Sequence, residues 1–414
     1  MTPDGWSRSS LGTVGEWLSG GTPSKQDAAL WKGPIPWISP KDMKRPRLSD
    51  AIDHVAEAAL GDGTQLAPLG SLLMVVRGMI LAHTFPVARA ERALAFNQDV
   101  KALVPSAGFD SEFLLYWLQD RQPEVLRLVD VANHGTKRLP SERLFAMEVP
   151  RPPLPEQRKI AAILSSVDEA IETTQAVIDQ LGVVKGAMMA ELLTRGLPGR
   201  HTRFKHTEIG EVPAEWEVGA LRDLAKLSSG GTPSRDRPEF WNGEIPWVKT
   251  GEIDYGVITC TEETISPAGL ENSSAKVVPA GTLLLAMYGQ GATRGRVAML
   301  GVPAALNQAC LAITPAPGLS ARFLFHVFAA RYELLRSLGH EGTQKNLNAK
   351  LVGDLVVPRP SPDEQQSIVD VLDALWMRSE AEAAVVEHLA SARSALMSVL
   401  LTGEVRVKPD EEAA

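Results

Sequence analysis

"GGTPSKQDAALWKGPIPW" spans Gly20–Trp37, and "GGTPSRDRPEFWNGEIPW" spans Gly230–Trp247. Ten of the eighteen positions are identical at a constant offset of 210. The match extends outward on both sides. "PDGWSRSSL" from Pro3 aligns with "PAEWEVGAL" from Pro213. "GSLLMVVRG" (Gly70–Gly78) aligns with "GTLLLAMYG" (Gly281–Gly289), and "LAFNQDVKALVP" (Leu94–Pro105) with "AALNQACLAITP" (Ala304–Pro315). "HGTKRLPSERLFAMEVPRP" from His134 meets "EGTQKNLNAKLVGDLVVPRP" from Glu341, "PEQRKIAAIL" from Pro155 meets "DEQQSIVDVL" from Asp363, and "LLT" recurs at Leu192 and Leu400. The offset stays between 207 and 211, the drift that short loop insertions produce. A period this long is not a solenoid unit. It is a tandem duplication of one domain with an appendage.

The appendage reads as a long helix. Ile160, Leu164, Val167, Ile171, Ile178, Leu181, Met188 and Leu192 follow a 3-4 heptad rhythm. Ile368, Leu372, Leu375, Val386, Leu389, Leu396 and Leu400 repeat it 208 residues later, with Ser379 and Glu382 placing polar groups mid-stripe. An a/d stripe held this long predicts a coiled-coil-like seam between two equal rods. A rod of 39 residues runs about 60 Å at ~1.5 Å per residue. Pro155 suits a first helical turn, Gly196 and Pro198 stop the first helix, and Gly403 stops the second. The alternative is a buried helix of an ordinary bundle.

The domain before each helix reads as α+β with extensive loops. "SLLMVV" and "TLLLAM" are apolar runs bounded by glycine, the pattern of buried strands. "VKALVP" and "CLAITP" are strands ending at proline. "DSEFLLYWLQD" and "SARFLFHVFAA" are helices with Asp110 and Ser320 as N-caps. Trp31, Trp37, Trp241 and Trp247 recur in register, and tryptophans beside prolines most often build a core corner. Asn97–Gln98 and Asn307–Gln308 precede strands, where amides tie loops by hydrogen bonds.

The chain has 414 residues, 44% hydrophobic and 22% charged, with a net charge of −8. That balance describes a globular protein and lacks the basic footprint usual for nucleic-acid binding. Its two cysteines, Cys260 and Cys310, make no disulfide framework or Cys-based zinc site. The closest histidines, His201 and His206, lack acidic or cysteine partners at ligand spacing, so no metal site is expected. No secretory leader and no long apolar span is found, which predicts a cytoplasmic protein. Phosphate-loop, dinucleotide-binding and nucleophile-elbow motifs are missing. Asp99 and Lys101 form a D-x-K pair, but the second copy has Ala309 and Leu311 there, so the pair reads as the polar face of a strand. No catalytic residue is assigned.

The positions that differ between copies carry more information. After "IPW" the copies read "ISPKDMKRPRLSD" and "VKTGEIDYGVITC". After the apolar strand they read "RGMILAHTF" and "YGQGATRGRV", and before the last strand "NHGTKRLP" and "EGTQKNLN". Lys, Arg, His, Gln and Asn in these loops are the side chains that read base edges and phosphates, although each taken singly is also an ordinary solvated residue.

The doubled "GGTPS…W..G.IPW", the passage "TEIGEVPAEW" (Thr207–Trp216), "GTQKNLN" (Gly342–Asn348), the doubled "P.P…EQ..I…L" and the late "LLTG" occur in one order over nearly the whole chain. In these features the chain resembles the specificity subunit of type I restriction-modification enzymes, a phage-defence system. The resemblance implies two target recognition domains, 1–153 and 197–360, each followed by a spacer helix, 154–196 and 361–403, with a tail at 404–414. It implies that the helices pair as an antiparallel coiled coil and dock two modification subunits, through which restriction subunits join. It further implies recognition of a bipartite, asymmetric double-stranded DNA target without catalysis. S-adenosylmethionine, ATP and magnesium belong to the partner subunits, and no cofactor belongs to this chain.

On that basis Lys41, Lys44, Arg45, Arg77, His134, Lys137 and Arg138 are candidates for the first half-site. Lys249, Thr250, Tyr288, Gln290, Arg294, Gln344, Lys345 and Asn346 are candidates for the second. "NHGTKRLP" departs from the Gln-Lys-Asn of the second copy. The stripe residues named above are candidates for the helix seam and partner docking. Two other readings stay open: an unrecognised nuclease or enzyme fragment, and a protein- or glycan-binding scaffold with two heads on a coiled coil.

Overall fold

The computed structural model describes residues 3–61, 63–131, 135–289, 292–338 and 347–408. The chain forms two compact units. Residues 1–175 and 384–414 make the first, and residues 176–383 the second. Each long helix, Leu154–Arg195 and Pro362–Leu400, is therefore divided between the two units.

Both units hold the same pair of sheets. In the first unit a five-stranded sheet runs in the order Gly15–Ser19, Val100–Pro105, Leu72–Val75, Val87–Ala90, Arg47–Leu48. A four-stranded sheet runs Asp53–Val55, Ile35–Ile38, Leu94–Phe96, Gln65–Ala67. The second unit repeats both orders, with Leu283–Ala286 central in one sheet and Trp241–Val248 in the other. All four residues of the central strands Leu72–Val75 and Leu283–Ala286 are buried, which explains why those runs do not alternate. The helices Ser111–Asp120 and Ala321–Ala330 pack against these sheets. The Asp110 carboxylate accepts from the backbone N–H groups of Glu112 and Phe113, and the Ser320 hydroxyl accepts from that of Phe323.

The "GGTPS…W..G.IPW" passage is a clamp on its own backbone. Trp37 Nε1 donates to the Gly21 carbonyl at 3.1 Å, and Trp31 Nε1 to the Ser24 carbonyl at 3.1 Å. Trp247 and Trp241 do the same to Gly231 and Ser234, both at 3.0 Å. A Cβ on Gly20 would lie 2.3 Å from the carbonyl oxygens of Phe96 and Asn97, and one on Gly21 1.4 Å from that of Gly63. The double glycine therefore permits close backbone approach and is not a phosphate loop. The tryptophans form the core corner expected of them.

The "EQ" that opens each long helix ties it to its domain. The Gln157 side chain is fully buried. Its Oε1 accepts from the N–H of Asp110, and its Nε2 donates to the carbonyls of Gly108 and Pro152. Gln365 repeats the arrangement with Ser320, Gly318 and Pro360. Beside them, Glu156 accepts from Trp6 Nε1 and Glu364 from Trp216 Nε1, both at 3.0 Å. Burial would raise the Glu156 pKa, but the hydrogen bonds from Arg406 and Trp6 outweigh it and hold the carboxyl below its ordinary range.

Within each unit the start of one long helix packs against the end of the other. Ile160 and Leu164 share a core with Met397, Leu400 and Leu401 in the first unit. Met189 and Leu192 share one with Ile368 and Leu372 in the second. Arg393 donates to Asp168 at 2.5 Å, and Lys185 lies 4.1 Å above the Trp376 ring. Numbers rise on one helix as they fall on the other, so the pair is antiparallel. The architecture is α+β, with two similar halves that each end in a long helix. Every named stripe residue is buried or half-buried, and so are Ser379 and Glu382. Glu382 meets the Arg378 guanidinium at 2.7 Å, one turn away, which balances its charge locally.

Candidate nucleic-acid interface

The loops that differ between copies share one backbone anchor among the described residues. In the first unit, Gly78 N–H donates to the Lys137 carbonyl at 3.0 Å, and Leu139 N–H to the Val76 carbonyl at 2.9 Å. Arg77 and Arg138 face each other as an isolated antiparallel bridge. Arg77 and Arg138, 61 positions apart in the sequence, are thereby brought together, and Lys137 precedes Arg138 in the chain. Two like charges on directly opposed residues are an arrangement suited to an anion. In the second unit Leu347 N–H donates to the carbonyl of Met287, the residue before Tyr288, at 3.2 Å. Tyr288 is exposed.

Lys41, Lys44 and Arg45 occupy a different loop of the first unit. They are exposed and line an open cavity of about 410 Å³ with Arg47 and Asp50. Lys41 is not idle: its ammonium meets Asp53 at 2.7 Å, and that hydrogen bond raises its pKa. Lys249 is held likewise by Glu262 at 2.6 Å, with Glu263 at 3.9 Å. Thr250 opens a single 3-10 turn and is half-buried. Arg294 is half-buried and donates to the Arg336 carbonyl at 2.9 Å. His134, Gln290, Gln344, Lys345 and Asn346 lie outside the described residues.

Asp99 and Lys101 are engaged within the sheet. The Asp99 carbonyl accepts from the N–H groups of Val76 and Arg77, and Lys101 donates to Ser19 across the sheet. Burial lowers the Lys101 pKa. Among the described residues no group of three or more His, Cys, Asp or Glu is placed to hold a metal ion. Among them also, no helix is long and apolar enough to cross a membrane. Sequence reading missed Arg47, whose guanidinium reaches Glu112 at 2.6 and 3.1 Å and Ser165 at 3.2 Å. It also missed the roles of the buried Glu-Gln pairs, which are visible in the sequence only as a repeated word.

A protein-family model described as the type I restriction modification DNA specificity domain matches residues 3–182 and again 213–387. The chain belongs to the type I restriction-modification specificity-subunit family. The MjaIX specificity subunit of Methanocaldococcus jannaschii is 25% identical over 98% of this chain and 95% of its own length. The EcoR124I/EcoR124II specificity subunit of Escherichia coli is 36% identical over 38% of this chain and 40% of its own. The solved S subunit from M. genitalium superposes with a TM-score of 0.60 at 14% identity, covering 95% of this chain and 96% of that one. A chain from a structural study of type I complex assembly and conformational transition gives 0.58 at 15% identity, covering 98% and 100%. As a specificity subunit the protein is a non-catalytic component concerned with DNA recognition in a type I complex, and the cofactors of such systems are bound by the modification and restriction subunits.

Proposed function

We propose that this specificity subunit selects a bipartite, asymmetric double-stranded DNA sequence. Residues 1–153 and 197–360 each read one half-site, and the spacer helices at 154–196 and 361–403 dock two modification subunits, which in turn recruit restriction subunits in the cytoplasm. One observation carries this reading: one scaffold occurs twice with polar loops of different sequence, next to a backbone bond that both copies share. Different loops on equal scaffolds give a split target with unlike halves. The repeated sequence of the two helices offers two equivalent docking faces to two identical partners. Modification subunits supplying much of the phosphate-binding charge would reconcile DNA binding with the net charge of −8.

In the first half-site Arg77 and Arg138 are the strongest candidates, because an antiparallel bridge sets them opposite each other, with Lys137 next to Arg138 in the chain. Lys41, Lys44 and Arg45 supply a second contact group, and Lys249, Thr250, Tyr288 and Arg294 serve the second half-site.

The direct test is methylome sequencing of host DNA with the gene intact and deleted, with the modification partner expressed. Loss of N6-methyladenine at one bipartite motif is the expected result, and no change in any motif sinks the proposal. A second experiment addresses the arginines. In the assembled complex, Arg77→Ala lowers affinity for the target duplex about 10- to 100-fold if it reads a base, and lowers the salt dependence by about one ion if it holds a phosphate. Unchanged affinity and unchanged salt slope would remove Arg77 from the interface.

A further inference from the structure

The two tryptophan corners are alike in geometry and differ in what covers them. In the second unit Trp241 and Trp247 stand edge-to-face, 5.0 Å apart at 88°. The guanidinium of Arg235 lies over the Trp241 ring, 3.7 Å from its centre, and 5.3 Å from that of Trp247. The same guanidinium makes a two-pronged pair with Glu263, both contacts at 2.9 Å. A planar group thus occupies the indole face, and its charge is neutralised in place.

In the first unit Trp31 and Trp37 keep the same arrangement, 5.0 Å apart at 80°. Lys25 stands at the position of Arg235 and Asp53 at that of Glu263, each 210 residues earlier. Asp53 keeps its register opposite Trp37, as Glu263 does opposite Trp247. Its shorter carboxylate is turned to Lys41 instead. The result is a cavity of about 530 Å³, lined by Trp31, Trp37, Lys25, Lys32, Lys41 and Asp53 among others. That size suits a small molecule or one unit of a polymer.

The charge of the cavity selects among planar ligands. Three lysines and one aspartate line it, and that carboxylate is already paired with Lys41. Lys32 and Lys41 correspond to Asn242 and Gly251, so the excess positive charge belongs to the first copy alone. A guanidinium from elsewhere would be repelled, whereas a group with a flat ring and an attached anion gains from both walls. We propose that this cavity binds one nucleotide of DNA, with its base laid on the indole of Trp31 and its phosphate held by Lys25 and Lys32. The inference deepens the DNA-recognition reading and rests on it. A base on an indole is held whatever its identity, because every base has a π-face. The cavity therefore grips a nucleotide that has left its stack, while the polar loops read those still paired.

The second copy supplies the decisive variant. Lys25→Arg combined with Asp53→Glu installs the pair that fills the corner in the second unit, with no loss of packing expected. Calorimetry on the full chain would compare a short single-stranded oligodeoxynucleotide with dAMP. The wild-type chain is expected to bind the oligonucleotide more tightly than dAMP. The double variant, melting at the wild-type temperature, is expected to bind it at least tenfold more weakly. Trp31→Ala is expected to weaken binding about 10- to 100-fold, and Trp31→Phe to restore most of it. Equal binding by wild type and double variant overturns the inference, as does a wild-type chain that binds neither probe. Binding of dAMP as tight as that of the oligonucleotide overturns the assignment to DNA in favour of a free nucleotide. Methylation of a bipartite motif by the wild-type complex, read separately, keeps failure of the cavity distinct from failure of the recognition reading.

Discussion

Gln365→Leu is expected to destabilise the second unit by about 3–9 kcal/mol, a large share of the ~5–15 kcal/mol that holds an ordinary domain together. Leucine is close to glutamine in size but removes its amide. Three backbone groups then lose their partner at once: the N–H of Ser320 and the carbonyls of Gly318 and Pro360. Gln365 is only 1% exposed, so water does not readily replace it. Each buried group left unpaired costs about 1–3 kcal/mol. Gln365→Glu keeps the acceptor for Ser320 but turns a carboxylate toward two carbonyl oxygens, so it is expected to be no better. The duplication provides an internal control, because Gln157 makes the same three bonds in the first unit. Urea unfolding of Gln157→Leu and Gln365→Leu should show losses of similar size, and a loss below about 1 kcal/mol in both would show that the amide is not the tie.

Acid is expected to weaken the second unit at His326, in a window set by one buried imidazole. His326 is fully buried, and its Nε2 meets Asp373 at 2.7 Å. Burial is the main influence and pushes its pKa down to about 4, against the upward pull of Asp373. Asp373 cannot rescue the charged form, because Arg322 already binds it at 2.8–3.0 Å. Lys185, from the other long helix, adds further repulsion. With Nε2–H donating to Asp373, Nδ1 has no hydrogen-bond partner among the described residues.

The folded pKa thus lies below the unfolded value of about 6.5, and the unfolded chain binds more protons between the two. The stability is fully present above about pH 6.5 and is lost as pH falls toward 4. The loss is about 2 kcal/mol by pH ~5 and about 3 kcal/mol by pH ~4. His326→Phe should flatten this window in urea titrations at about pH 7 and about pH 5. An equally steep dependence in the variant would place the proton elsewhere. The equivalent residue in the first unit is Tyr116, which donates to Asp168 at 2.8 Å and has its pKa pushed up, by burial first. The first unit has no counterpart of this acid sensitivity at that position.

The duplication, the long helices, the buried central strands and the N-caps were all legible in the amino-acid sequence. Each is a local or periodic property: a repeated word, a heptad stripe, an apolar run between glycines, an Asp or Ser before a helix. The family was legible for the same reason, since its words recur in one order. The division of labour within the words was not. "EQ" reads as a signature until Gln157 and Gln365 are seen gripping carbonyls on two sides. Arg77 and Arg138 lie 61 positions apart and become neighbours only because strand ends meet at Val76 and Leu139. The exchange of Lys25 and Arg235 looks conservative on paper. An ammonium cannot lie flat on an indole and grip a carboxylate with two prongs, so one corner is filled and the other is open. Periodicity and composition determine which segments fold and what they bury. Only tertiary packing decides which polar groups face one another, because that depends on contacts between residues that sequence distance does not encode.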